Sequence, residues 1–226
     1  MNVLFELLYN LSIIISISII AGFIGHQGSK DWKISLLQGL IFGCASVIGM
    51  LNPLVVAPGL IFDGRSVMIS LSGLFFGPLA SAIAGSMALI LRINQGGMGV
   101  LTGSLVIISS ASIGTMFYLR NKRKNIKITT GLLFSMGMIV HVAMILLMFT
   151  LPYDSGIATL KLIGLPVLLS FPLTTVLIGK IILEAEERKR IGEQIYYLSY
   201  RDELTGLYNR RYYVEALKRL DACILQ

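Results

Sequence analysis

The chain has 226 residues, 55% of them hydrophobic and only 14% charged, with a formal charge of +7 and a mean hydropathy of +0.79. A water-soluble domain needs far more charge to cover its surface, so the composition excludes one and describes an integral membrane protein. The basic residues gather at the ends of apolar runs, where Lys and Arg meet anionic head groups, and this distribution argues against a nucleic-acid partner.

Six apolar runs approach the roughly 20 residues needed to cross a bilayer core. The first, Val3 to Ile24, carries Glu6 and Asn10, both suited to an interface, and lacks the basic start and small-residue cleavage site of a removable signal. A polar connector from His26 to Lys33 contains Trp32, whose amphipathic ring suits a membrane boundary. The second run, Ile34 to Leu51, breaks at Asn52-Pro53 because proline donates no backbone hydrogen bond. An apolar loop from Asn52 to Ser66 follows, punctuated by Pro53, Pro58, Gly59 and Gly64 and holding the pair Asp63 and Arg65. Irregular backbone at membrane depth is tolerated only when buried in protein or lining a cavity, so this loop is a candidate binding region.

The third run, Val67 to Leu91, is interrupted by Gly77-Pro78, where a kink is expected, and its Ser81, Ala84, Gly85 and Ala88 allow close helix approach. The connector Arg92 to Gly99 holds three glycines that permit positive φ; it lacks the strand and the Lys-Ser/Thr pair of a phosphate-binding loop. The fourth run, Met98 to Tyr118, leads into a loop with Arg120, Lys122, Arg123, Lys124 and Lys127, which the positive-inside rule places in the cytoplasm. The fifth, Ile128 to Leu151, contains His141, either a titrating sensor or a neutral ring bonded to a neighbouring helix, the second being the commoner arrangement. The sixth, Leu160 to Leu183, contains Pro166 and Pro172. Six crossings then put both termini in the cytoplasm and leave Lys30 and Lys33 outside, five charges outweighing two. Cys44 and Cys223 offer neither a disulfide nor a metal spacing.

Arg65 and Arg92 flank the third run. Guanidinium groups grip carboxylate or phosphate with two prongs, so these two are the leading candidates for holding a small anion, Arg92 ahead of Arg65. Distance stands against them: 27 residues of straight helix rise about 40 Å. Only a strong break at Gly77-Pro78, or loops that dip inward, would bring both to one ligand; otherwise they reach opposite head-group layers, or Arg65 neutralises Asp63. The candidate ligand-binding set is Arg92, Arg65, Asp63, Asn94 and Asn52, with no catalytic residue and no metal ligand assigned.

Beyond Leu183 the sequence becomes Glu-Ala-Glu-Glu-Arg-Lys-Arg, then a narrow stripe of Ile191, Ile195 and Leu198. The stripe fits a short parallel coiled coil joining two copies, or equally a single helix on the membrane surface.

The runs Pro58-Gly59-x-Ile61-Phe62-Asp63-x-Arg65-Ser66-Val67 and Gly73-Leu74-Phe75-x-Gly77-Pro78, with the Arg92 to Gly99 connector, resemble the transmembrane sensor region called 5TMR-LYT, found in LytS-type receptors. Asp202-x-Leu204-Thr205-Gly206-Leu207-x-Asn209-Arg210-Arg211 resembles the opening of a GGDEF-type diguanylate cyclase domain. Together the resemblances imply an all-α membrane protein with six transmembrane helices, broken helices and apolar loops, followed by a cytoplasmic signalling helix and a truncated α/β domain start. The implied domains are a sensor over 1–183, a linker helix over 184–200 and a cyclase beginning over 201–226. The implied setting is the bacterial plasma membrane.

The same likeness makes Asp202, Leu204, Thr205, Gly206, Asn209 and Arg210 a signal junction. Thr205 is expected to cap a helix along which Tyr213, Leu217, Leu220 and Ile224 recur. Mg²⁺ and GTP belong to an intact cyclase domain, and the residues that would bind them do not occur in this sequence. The chain is therefore expected to be a truncated receptor without enzymatic activity or cofactor of its own. The fold is also similar to vitamin-binding membrane subunits of energy-coupling-factor transporters, which keeps a transport or binding subunit as an alternative. A receptor region for a LytS-type histidine kinase is another, although the tail offers no phosphoacceptor histidine.

Overall fold

The computed structural model describes residues 32–51, 53–57, 60–202, 205–214 and 217. The first expected span, Asn52, Leu204 and Cys223 lie outside the described residues. Among the described residues five long helices follow one another: α1 (Trp32–Leu51), α2 (Arg65–Gln95), α3 (Val100–Lys124), α4 (Thr130–Leu147) and α5 (Tyr153–Tyr200). Five helical stretches, the second to sixth of the expected spans, are long and apolar enough to cross a membrane. The chain divides into two compact units, Met1–Leu183 and Glu184–Gln226.

The loop expected to be irregular contains a small hairpin, β1 (Leu54–Ala57) and β2 (Leu60–Phe62), paired antiparallel with Leu54 opposite Phe62. Backbone at membrane depth must find partners within the protein, and the hairpin supplies them. Its second strand delivers the chain to Asp63 and the start of α2.

The main departure from expectation is α2, which is not straight. Gly77 adopts φ 85° and ψ −171° inside it, a conformation open to glycine, and Pro78 lacks the N–H that would carry the helix across. Neighbours along α3 trace the course of the chain. A Cβ at Gly103 would meet both Arg65 and Arg92, one at Gly114 would collide with the backbone of Ser70, and one at Gly77 would lie 3.1 Å from the Tyr118 ring. On the returning half, Ser81 shares a 2.9 Å hydrogen bond with Thr115, and Gly85 faces Ile107 and Ala111. Residues 65–76 therefore run from the level of Gly103 to that of Tyr118, and 78–95 run back. The first half rises only about 18 Å, too little to cross a core of about 30 Å.

The small residues make this double pass compact. Gly39 and Gly43 of α1 lie against Ala80 and Ala84 of α2, so that a Cβ at Gly39 would meet the Ala80 carbonyl oxygen at 2.9 Å. Further along, Gln95 Nε2 donates to the Met50 carbonyl at 3.1 Å. Helix α1 thus runs parallel to the second half of α2, and its start, with Trp32 and Lys33, lies at the Tyr118 end of the bundle. Lys33 and the Arg120–Lys124 cluster share that end, which corrects the expectation that they fall on opposite sides. With α2 doubled back, the even number of crossings that put both termini on one side no longer follows.

The basic stretch expected as a loop is mostly helical, because α3 continues to Lys124 and closes with Asn125 in the left-handed conformation at φ 49°. Thr129 caps α4 by accepting from the Leu132 N–H at 3.3 Å. Pro166 and Pro172 are carried within α5, where the hydroxyls of Ser170, Thr174 and Thr175 donate to carbonyls one turn back. Gly137 of α4 admits Pro172 and Thr175 of α5 to close contact.

Candidate functional site

The fold-back at Gly77 brings the two ends of α2 together. A point where a Cβ would stand at Gly103 is 2.5 Å from Arg92 Nε and 3.2 Å from Arg65 Nη2, so both guanidiniums face one small volume. The 40 Å separation expected of a straight helix is therefore overturned. Arg92 is 1% exposed and Arg65 6%, so both side chains are buried within the protein.

Asp63 is the counter-charge. Its Oδ2 accepts from Arg65 Nη1 at 2.8 Å and its Oδ1 accepts from the Arg65 backbone N–H at 3.0 Å. The carboxylate thus satisfies a donor in the first turn of α2 while pairing with the side chain above it, where a helix favours negative charge. Burial raises the Asp63 carboxyl above the usual carboxylate range, opposed by the Arg65 guanidinium, by the Arg65 N–H and by Arg92. Two guanidiniums and one carboxylate leave the site with one excess positive charge.

The cavity is lined by Ile61, Phe62, Asp63, Arg65, Ser66, Arg92, Gly99, Thr102, Gly103, Val106, Met144, Met148 and Leu151, and its volume is about 30 Å³. That is about the space of one water molecule, so a larger occupant must displace a wall. Met144 and Met148 form the yielding side, methionine being unbranched and easily repacked. Thr102 and Thr150 share a 2.6 Å hydrogen bond that ties α3 to the turn Met148–Thr150.

His141 stands behind the cavity, fully buried. Its Nδ1 lies 2.7 Å from the Gly137 carbonyl, which only a protonated Nδ1 can satisfy, so Nε2 accepts from the Ser66 hydroxyl at 3.1 Å. The ring also packs at 5.0 Å from Phe171 of α5. Of the two readings of His141, the geometry realises the hydrogen bond to a neighbouring helix, and its partner Ser66 is a wall of the cavity.

Of the candidate ligand residues, Arg65, Arg92 and Asp63 are brought together. Asn94 sits exposed on the last turn of α2 and does not line the cavity, because α2 continues to Gln95 and points it outward. Asn52 lies outside the described residues. Sequence reasoning missed Gly103, Thr102, Ser66 and the two methionines. Gly103 carries the clearest signal in hindsight, a small residue in an apolar helix where two long side chains need room.

The turn at Arg201–Arg211 in the second unit is built quite differently. Asp202 Oδ1 accepts from the Thr205 N–H and hydroxyl, both at 2.9 Å, and Gly206 takes φ 68°. Arg201 Nη1 donates to the Gly206 carbonyl at 2.7 Å and its guanidinium lies over the Tyr208 ring at 4.8 Å. Asn209 Nδ2 donates to the Ser199 carbonyl, while Asn209 Oδ1 accepts from the Tyr212 N–H at 3.2 Å. Asn209, not Thr205, therefore caps the helix that begins at Arg210, because Thr205 lies in the turn five residues ahead of that start. Ile191, Ile195 and Leu198 are exposed along α5.

The family described as 5TMR of 5TMR-LYT matches residues 17–185. The chain belongs to the 5TMR-LYT family. Its match covers α1 to α4 and α5 as far as residue 185, and so the whole cavity; the turn at Arg201–Arg211 lies beyond it. This 5TMR-LYT chain is membrane-embedded and carries a receptor region of LytS type. No curated protein and no solved structure matches it significantly.

Proposed function

We propose that this 5TMR-LYT region senses a small organic anion, a carboxylate of few heavy atoms, held between the guanidiniums of Arg65 and Arg92. The observation that supports this best is their convergence at Gly103 in a small volume where both side chains are buried, with one excess positive charge. A charge-assisted bond inside a low-dielectric site is stronger than in water, and two guanidiniums give it direction. The 30 Å³ volume favours a compact ligand over a drug-sized one.

The cavity lies at the end of the bundle away from Arg120–Lys124. With the basic end in the cytoplasm of a bacterial cell, as the positive-inside rule has it, the cavity opens toward the outer face of the plasma membrane. The output we infer is a diguanylate cyclase, supported by the Asp202–Arg211 motif and by the tight turn those residues form. Mg²⁺ and GTP would be handled by that catalytic domain, whereas residues 1–200 receive and relay, with the Ile191–Leu198 stripe pairing two copies.

Purified full chain in lipid nanodiscs, titrated calorimetrically with formate, acetate and three-carbon carboxylates, tests the reading. A saturable response that falls about 30-fold or more in Arg92→Ala is expected, the scale of one lost charge-assisted bond. Equal responses in the two proteins would sink it. Accumulation of the same carboxylates in proteoliposomes would favour a transport subunit instead.

A further inference from the structure

A second concavity lies at the opposite, basic end of the bundle. It is open, about 640 Å³, and floored by Pro78, Ser81 and Ala82 just past the turn of α2. Its long wall is a single face of α3: Ala111, Ser112, Thr115, Met116, Leu119, Arg120, Arg123 and Lys124 recur at steps of one and three. The composition changes along that face. The deep part is apolar apart from small hydroxyls, among them Thr115, which is held to Ser81 at 2.9 Å. The mouth carries Arg120, Arg123 and Lys124, all exposed.

We propose that this groove is a binding site for one anionic phospholipid, its phosphodiester at Arg120, Arg123 and Lys124 and an acyl chain laid along Leu119, Met116 and Ala111. Length and charge together point to this occupant. From Ala111 to Arg120 the helix rises about 14 Å, close to half of a hydrocarbon core of about 30 Å, so the apolar stretch matches one leaflet. Three cations at the headgroup end complement a phosphate and leave a zwitterionic headgroup's own cation without a partner. The floor begins at Pro78, next to the Gly77 break that positions Arg65 and Arg92, so the lipid lies against the hinge of α2.

The full chain in phosphatidylcholine nanodiscs with a minor fraction of phosphatidylglycerol, released and weighed by native mass spectrometry, tests this. Wild type is expected to retain one phosphatidylglycerol in preference to phosphatidylcholine. The variant Arg120→Gln/Arg123→Gln/Lys124→Gln should retain about tenfold less. Lys122→Gln/Lys127→Gln, which removes neighbouring charges outside the groove, should retain the wild-type amount, and Ala82→Trp, which fills the groove and leaves every charge, should lose the lipid. Equal retention in the triple variant, or equal loss in the Lys122/Lys127 variant, overturns the proposal. So does displacement of the lipid by glycerol phosphate, which carries the headgroup charge without chains. A disulfide between Ser112→Cys and a cysteine placed within residues 1–31, formed in phosphatidylglycerol discs, would put the chain's own segment in the groove and overturn it too.

Discussion

The cavity around Arg65 and Arg92 and the turn at Arg201–Arg211 both organise charged side chains, by opposite means. In the cavity, residues far apart in sequence meet because a glycine folds a helix back, and the charges are stripped of water. In the turn, the hydrogen bonds of Asp202, Gly206 and Asn209 described above reach no further than ten residues, and most of the described side chains remain exposed. Buried charge makes the first region expensive to perturb. Local bonding makes the second a robust connector that tolerates single losses.

The largest effect separating the two should come from Asp63→Ala. It removes the carboxylate facing the Arg65 guanidinium and is expected to destabilise the membrane unit by about 3–5 kcal/mol in a detergent unfolding titration. Added formate should recover part of that loss by standing in for the carboxylate, and an unchanged midpoint would show that Asp63 is not the counter-charge. Next, Gly103→Ala places a methyl group 2.5 Å from Arg92 Nε. Because the obstructed atoms belong to flexible side chains, the fold should survive while carboxylate affinity drops about tenfold, read by calorimetry.

In the turn, Asp202→Ala and Gly206→Ala should each cost about 1 kcal/mol, seen as faster hydrogen exchange over 199–212, with anion affinity unchanged. A change of affinity in either would erase the contrast between the regions. The smallest effect is that of pH. The Asp63 carboxyl is raised, so the folded chain takes up this proton at higher pH than the unfolded chain does. Acidification through the window between the unfolded and the raised folded value therefore favours the folded state and removes the negative charge facing Arg65. Arg65 and Arg92 are the other charged groups lining the cavity, while His141 lies behind Ser66. Affinity for sulfate, which does not titrate in the window, should rise a few-fold as pH falls, and Asp63→Asn should abolish the rise.

Much of the fold could be read before the structure. Five apolar runs became the five described helices, and Gly77-Pro78 marked the break, because hydropathy and helix breakers are local properties. Asp63 pairing with Arg65 was legible for the same reason, the two being adjacent at a helix start. What could not be read was the angle of the break. A proline signal says that a helix is interrupted, whereas folding back depends on the fit of Gly73 and Ser70 against Gly114, and of Ala80 and Ala84 against α1. That angle alone decides whether Arg65 and Arg92 are 40 Å apart or share a cavity, and it also moved Lys33 to the basic end. In the turn, the motif was legible but the cap was misplaced by four residues, since Thr205 and Asn209 are both good cap types and the residue types alone do not say that the helix starts only at Arg210.

The central claim is that two guanidiniums hold one anion. Dipolar dephasing between ¹³C-formate and ¹⁵Nη-labelled arginine in bilayers, on wild type, Arg65→Lys and Arg92→Lys, tests it most directly. The account predicts that formate is dephased by two guanidiniums, and that each lysine variant removes one of the two contributions. Dephasing by a single guanidinium, or a wild-type signal unchanged in both variants, would contradict it.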